Sequence, residues 1–108
     1  MELIMTKAYL IVHTTVTNPE GFAEYARQSM PIIQSLGGKY LVRGGGTQLE
    51  GTSPGIRHVV IEFESHEAAE AAYYSQEYQN IIRHRQNNTI SCAILADGLE
   101  SPESPSKA

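Results

Sequence analysis

The sequence contains a single cysteine, Cys92, among 108 residues. An intrachain disulfide is therefore excluded, and so is a metal site built on several thiolates. No run of Lys or Arg occurs, and the formal net charge is −4. Nucleic acid is not the expected partner, because neutralising phosphates takes several clustered cations. No apolar stretch approaches the roughly 20 residues that cross a bilayer, so no membrane partner is expected either. The N-terminal MELIMTKAYLIV has no basic region ahead of its apolar residues and no small-residue cleavage pattern behind them. It does not read as a secretory signal, and the expected location is cytoplasmic. No His-x-x-x-His pair or equivalent carboxylate cluster is present, so a protein-held metal is not expected; no cofactor is expected, with a haem ligand from His13, His58 or His84 left as an alternative.

What is present is enough for one core. Hydrophobic residues make up 41% of the chain, and the length suits one domain. Residues 1–6 read as an N-terminal extension, with Met5 as a second possible start. Residues 7–98 form the predicted domain, and 99–108 form a polar tail predicted to be disordered.

Ala8 to Val16, AYLIVHTTV, is rich in β-branched and aromatic residues and predicts a strand. Alternation puts Ala8, Leu10, Val12 and Thr14 on one face, and Tyr9, Ile11, His13 and Thr15 on the other. Both faces are largely apolar, as in a strand covered on both sides. Asn18-Pro19-Glu20 starts a helix, with Asn18 as cap, Pro19 at the first position and Glu20 on the dipole. Phe22, Ala26, Ile33 and Leu36 recur at helical spacing, with Tyr25 and Ile32 beside them. Gly37-Gly38 ends the helix, and Pro31 is expected to kink its last turns. Lys39 to Arg43 predicts a second strand running into Gly44-Gly45-Gly46. Those glycines suit a bulge or sharp bend, and Gln48 to Glu50 are a possible continuation. They are no phosphate loop, since no Gly-Lys-Ser/Thr and helix follow. His58 to Phe63, HVVIEF, is the third strand. Ser65 caps a helix from His66 through Tyr74, and Ser75 restarts a second piece over Gln76 to Arg85. Thr89 to Ala96, TISCAILA, is the fourth strand, where Cys92 is expected to be a buried, inert thiol.

The order β-α-β-β-α-β predicts an α+β, ferredoxin-like fold: a four-stranded antiparallel sheet with helices on one face. Right-handed crossovers place strands 1 and 3 in the centre. The face left open is apolar, and a second copy would cover it, which predicts a homodimer.

Several segments together resemble the family known as domain of unknown function 1330, in the dimeric α/β-barrel superfamily. They are AYLIVHTTVTNPEGFAEY, GGKYLVRGGG, LEG, HVVIEFESHEAAEAAYYSQEYQNIIRHR and AILADG. The resemblance spans roughly Lys7 to Gly98. It implies a ferredoxin-like subunit and a barrel-like dimer, and no particular reaction. Related families include cofactor-independent monooxygenases, haem-degrading enzymes, lactone isomerases and proteins without a catalytic role.

Candidate chemistry centres on YYSQEYQNIIRHR. Tyr74, Tyr78 and Arg85 fall on one helical stripe with Ile81 or Ile82. One reading has the tyrosines packed on the sheet, Ser75 as an N-cap and Arg85 paired with a carboxylate. The other has Arg43, Tyr74, Ser75, Tyr78 and Arg85 lining a helix–sheet cleft for a small aromatic or carboxylate-bearing molecule. Glu62, inside a strand, is costly to bury unpaired. It is therefore at a solvated surface, or paired with Arg43 in a structural bridge, or with Arg43 at a pocket floor as a base. His66 and His84 are expected to be solvated. His13 and His58 lie in central strands, where a hydrogen-bonded structural histidine is commoner than a catalyst. Binding without chemistry is thus one hypothesis. A cofactor-independent monooxygenase or isomerase of an aromatic or enol substrate is a second, with His58 or Glu62 as proton acceptor. A purely structural dimer module is a third.

Overall fold

A computed structural model describes residues 6–53 and 55–99. The expected extension (1–6) lies almost wholly outside the described residues, and so does the expected tail beyond residue 99. Four strands, β1 (Ala8–Val16), β2 (Lys39–Gly45), β3 (Arg57–Phe63) and β4 (Thr89–Asp97), alternate with α1 (Pro19–Ser35), α2 (His66–Tyr73) and α3 (Gln76–Gln86). The sheet order is β2-β3-β1-β4, and every pairing is antiparallel. The fold is α+β and ferredoxin-like, with β1 and β3 central as expected.

One core lies between the sheet and the helices. It takes Ala8, Leu10 and Val12 from β1, Ile61 and Phe63 from β3, and Ile33, Ala69, Ala72, Tyr78, Ile81 and Ile82 from the helices. The strand residues are alternate ones, so the helices cover a single face. Tyr78, Phe63 and Ile33 are the largest fully buried side chains. Each contributes about 1.5–3 kcal/mol by leaving water.

Helix ends follow their local chemistry. Ser65 Oγ accepts from the Ala68 N–H at 3.1 Å, and Ser75 Oγ from the Tyr78 N–H at 3.2 Å. Asn18 stands at the N-cap position of α1 but makes no side-chain cap bond. Its amide donates instead to Asn88 Oδ1 at 3.0 Å, tying the start of α1 to the turn before β4. Gly37, at φ 99°, ends the segment. Gly38 N–H donates to Ile33 O and Gly37 N–H to Gln34 O, which is a Schellman closure. The helix continues through Pro31 to Ser35.

Two departures shape the site. The first is in β2. Tyr40 pairs with Ile61 and Val42 with Val60, so the register shifts at Leu41. The bulge therefore falls before the glycine run rather than within it. Gln48–Glu50 do not extend the strand. The second is in the opening stripe. Tyr74 is the C-cap of α2 and Ser75 the N-cap of α3. The two helices have separate axes, so Tyr74 does not continue the face of Tyr78 and Arg85.

Candidate functional site

A cleft lies where α1 and α3 meet the sheet. Leu10, Val12, Val59 and Ile61 form its apolar floor, and α1 supplies Phe22 and Tyr25 as a wall. Arg43, Arg57, Arg85, Tyr40 and Tyr78 supply its polar groups. Alternation explains the strand contributions. Arg57, Val59, Ile61 and Phe63 share the covered face of β3, and the Leu41 bulge lets Tyr40 and Arg43, three apart in sequence, both face inward.

Tyr25 and Tyr78 are joined through their hydroxyls at 2.6 Å. Burial pushes the Tyr25 phenol well above its ordinary value, and the neighbouring Tyr78 adds to this. Burial, helped by Tyr78, pushes Tyr40 up to about 12. Both phenols are therefore neutral donors at physiological pH. Arg85 is 4% exposed. Its Nη1 donates to Ser91 Oγ at 2.6 Å, and its guanidinium sits 5.8 Å from the Tyr25 ring centre. Burial disfavours its charge, but the surrounding oxygens of Tyr78 and Tyr25 more than offset that. Its Nε has no hydrogen-bond acceptor among the described residues. A buried donor left without an acceptor costs on the order of 1–3 kcal/mol. The expected carboxylate partner of Arg85 is replaced by a serine and a tyrosine ring.

No carboxylate lies within ion-pair distance of Arg43, Arg57 or Arg85 among the described residues. Arg43 reaches Ala26 O at 3.4 Å, and Arg57 lies 5.8 Å from the Phe22 ring centre. The cleft encloses about 30 Å³, room for roughly two waters.

The other predicted residues lie elsewhere. Ser75 spends its hydroxyl on capping and on Ala72 O. Tyr74 is exposed and edges a roomier groove of about 330 Å³ between α2 and β4. His66 stands at that groove's rim, 2.9 Å from Asp97 and 3.5 Å from Glu70. The groove is larger, yet its charged groups satisfy one another, whereas the cleft holds an unpartnered buried donor.

The expected Arg43–Glu62 pair does not form. Strict alternation would place Arg43 with Lys39 on the Glu62 face, but the bulge inverts every residue beyond Leu41. Glu62 faces away from the helices, accepts from Tyr9 Oη at 3.1 Å and lies 4.0 Å from Lys7 Nζ. His58 shares that uncovered face, with its Nδ1 2.9 Å from Nδ1 of His13. One of these nitrogens must carry the proton and the other accept it. Ile11, Val42, Val60 and Ile94 surround the pair, and Cys92 is opposite His13. Cys92 is exposed, contrary to expectation, because the helices do not reach this side of an edge strand.

Arg57, Tyr25 and Tyr40 were not singled out by sequence reasoning. Arg57 was findable by extending the HVVIEF alternation back one residue. Tyr40 needed only its place between Ile33-side packing and the strand; Tyr25 recurs beside Phe22 on the helical repeat.

The architecture is a ferredoxin-like α+β subunit with its helices on one side. The chain belongs to the family described as Domain of unknown function (DUF1330), whose model matches residues 7–99. No curated protein matches it. Among solved structures, the fold is similar to a protein of unknown function from Rhodopseudomonas palustris, at 21% identity and TM-score 0.72. That match covers 90% of this chain and 85% of the other. It is also similar to SnoaB, a cofactor-independent oxygenase from Streptomyces nogalater, at 12% identity and TM-score 0.62. There 92% of this chain and 99% of the other are covered. At these identities the likeness is one of fold. No helix among the described residues is long and apolar enough to cross a membrane.

Proposed function

We propose that this protein is a homodimer that binds a small aromatic or carboxylate-bearing molecule in the helix–sheet cleft. The observation that carries the reading is the cleft's charge: three guanidiniums among phenols and apolar residues, with no carboxylate paired to them among the described residues. Such a site is complementary to an anion, and its aromatic walls suit a flat body. The enclosed volume is about 30 Å³, so binding requires lining side chains to move apart.

The uncovered sheet face supports the dimer. Val42, Ile94 and Ile90 are 45%, 50% and 68% exposed there, and a second copy of the same face would cover them. The oxygenase alternative draws on the likeness in fold to SnoaB. It has lost its bases, since Glu62 and His58 lie across the sheet from the cleft. Within the cleft the remaining proton-transfer groups are phenols.

Native mass spectrometry of protein from its own host tests the reading. A dimer with added small-molecule mass supports it, and Arg85→Gln should release that mass. A monomer refutes the assembly. Bound mass that survives Arg85→Gln places the ligand elsewhere.

A further inference from the structure

The cross-strand register spaces the cleft's charges. Arg57 on β3 pairs with Thr14 on β1, and Thr14 pairs with Ser91 on β4. Ser91 is the residue that holds Arg85. Arg57 and the anchor of Arg85 thus stand two strand spacings apart, about 10 Å at the backbone, on either side of buried Thr14. Arg43 pairs with Val59, two residues along from Arg57, and so joins the Arg57 side. Positive charge is divided between a buried guanidinium beside β4 and a solvent-reaching pair at β2 and β3. Val12, Val59 and the Phe22 ring lie among the same lining residues.

A single carboxylate held by Arg85 leaves the Arg57–Arg43 pair without a counter-ion. We infer that the ligand is a diacid: a compact apolar or aromatic body carrying two anionic groups. One group accepts from Arg85 Nε, and the other lies against Arg57 and Arg43. This rests on the reading of the cleft as the ligand site. The neutral phenols of Tyr25 and Tyr40 donate hydrogen bonds to the bound anions and add no competing charge. Arg85, whose buried Nε lacks an acceptor, is matched at the inner end by a carboxylate.

Calorimetric titration of the full chain with benzoate and with isophthalate, at matched ionic strength, tests the inference. Isophthalate is expected to bind about tenfold or more tightly than benzoate, the size of one added charge-assisted pair. Arg57→Gln should cost isophthalate more affinity than benzoate and so narrow the gap between the two probes. Arg85→Gln should weaken both probes, and Arg85→Lys, which keeps the charge without Nε, should not restore them. Circular dichroism checks that each variant folds. If Arg85→Gln does not fold, the two probes and Arg57→Gln still decide. Equal affinities for the two probes, both lost in Arg85→Gln, overturn the diacid and leave the cleft reading intact. No binding of either probe at millimolar concentration overturns both.

Discussion

Tyr25 Oη and Tyr78 Oη, 2.6 Å apart, bridge α1 and α3 within the cleft. The bond connects helices separated in sequence by two strands and α2. Tyr25→Phe removes one hydroxyl and leaves the buried Tyr78 oxygen without this partner. A loss of about 1–2 kcal/mol in urea unfolding is expected. If affinity for a cleft ligand rises in the same variant, the bond also resists opening. Unchanged stability would mean that the contact contributes nothing.

Glu62→Gln separates the two faces of the sheet. Because Glu62 bonds Tyr9 on the side away from the helices, the change should leave cleft affinity within about twofold, well under the 1.4 kcal/mol that a factor of ten represents. The Tyr9 phenol, held above its ordinary value first by its bond to Glu62, should titrate at lower pH, as ultraviolet difference spectra would record. A large loss of affinity would contradict the placement of Glu62 outside the cleft.

Ile94→Asp puts a charge in the middle of the uncovered apolar face. Ile94 is half exposed in the single subunit, so folding should change little. Covering it against a second copy would bury an unpaired carboxylate, at a cost of several kcal/mol. Light scattering during size-exclusion chromatography should then find a monomer where the parent is a dimer. A dimer of unchanged stability would move the interface elsewhere.

His66 is raised above its ordinary value, first by its hydrogen bond to Asp97, with Glu70 helping and burial opposing. A folded pKa above the unfolded one means that the protonated form favours the native state. The resulting stability is fully present below the unfolded value of about 6.5 and is lost as pH rises through the folded value. Asp97→Asn should lower the His66 titration midpoint in NMR spectra and remove that acid-side gain. An unmoved midpoint would reject the pairing.

Much of the architecture was legible because the signals are local. AYLIVHTTV and HVVIEF show β-branched alternation, Gly37-Gly38 supplies a stop, and Ser65 and Ser75 sit one residue ahead of helices that they cap. The site was only partly legible. Arg43, Tyr78 and Arg85 do share a cleft, but Arg43 does so through a bulge that no residue of KYLVR announces. A one-residue shift inverts a strand's faces, which is why Arg43 was assigned to Glu62. Tyr74 fell away because a break between two helix axes leaves no trace in spacing. Arg57 was overlooked because it follows Gly55-Ile56 at the end of a turn-rich segment. Its role depends on pairing with Thr14, more than forty residues away.

The sheet order also bears on how the chain is made. β1 comes first in sequence among the described strands, yet its two neighbours are β3 and β4. Its last partner residues, through Asp97, pair with Ala8 at its very start. The first strand of the sheet is therefore completed by the last, and the sheet closes only once β4 is available. Pairings of such sequence separation form slowly. Until β3 and β4 are available, the apolar AYLIVHTTV segment has both edges unpaired.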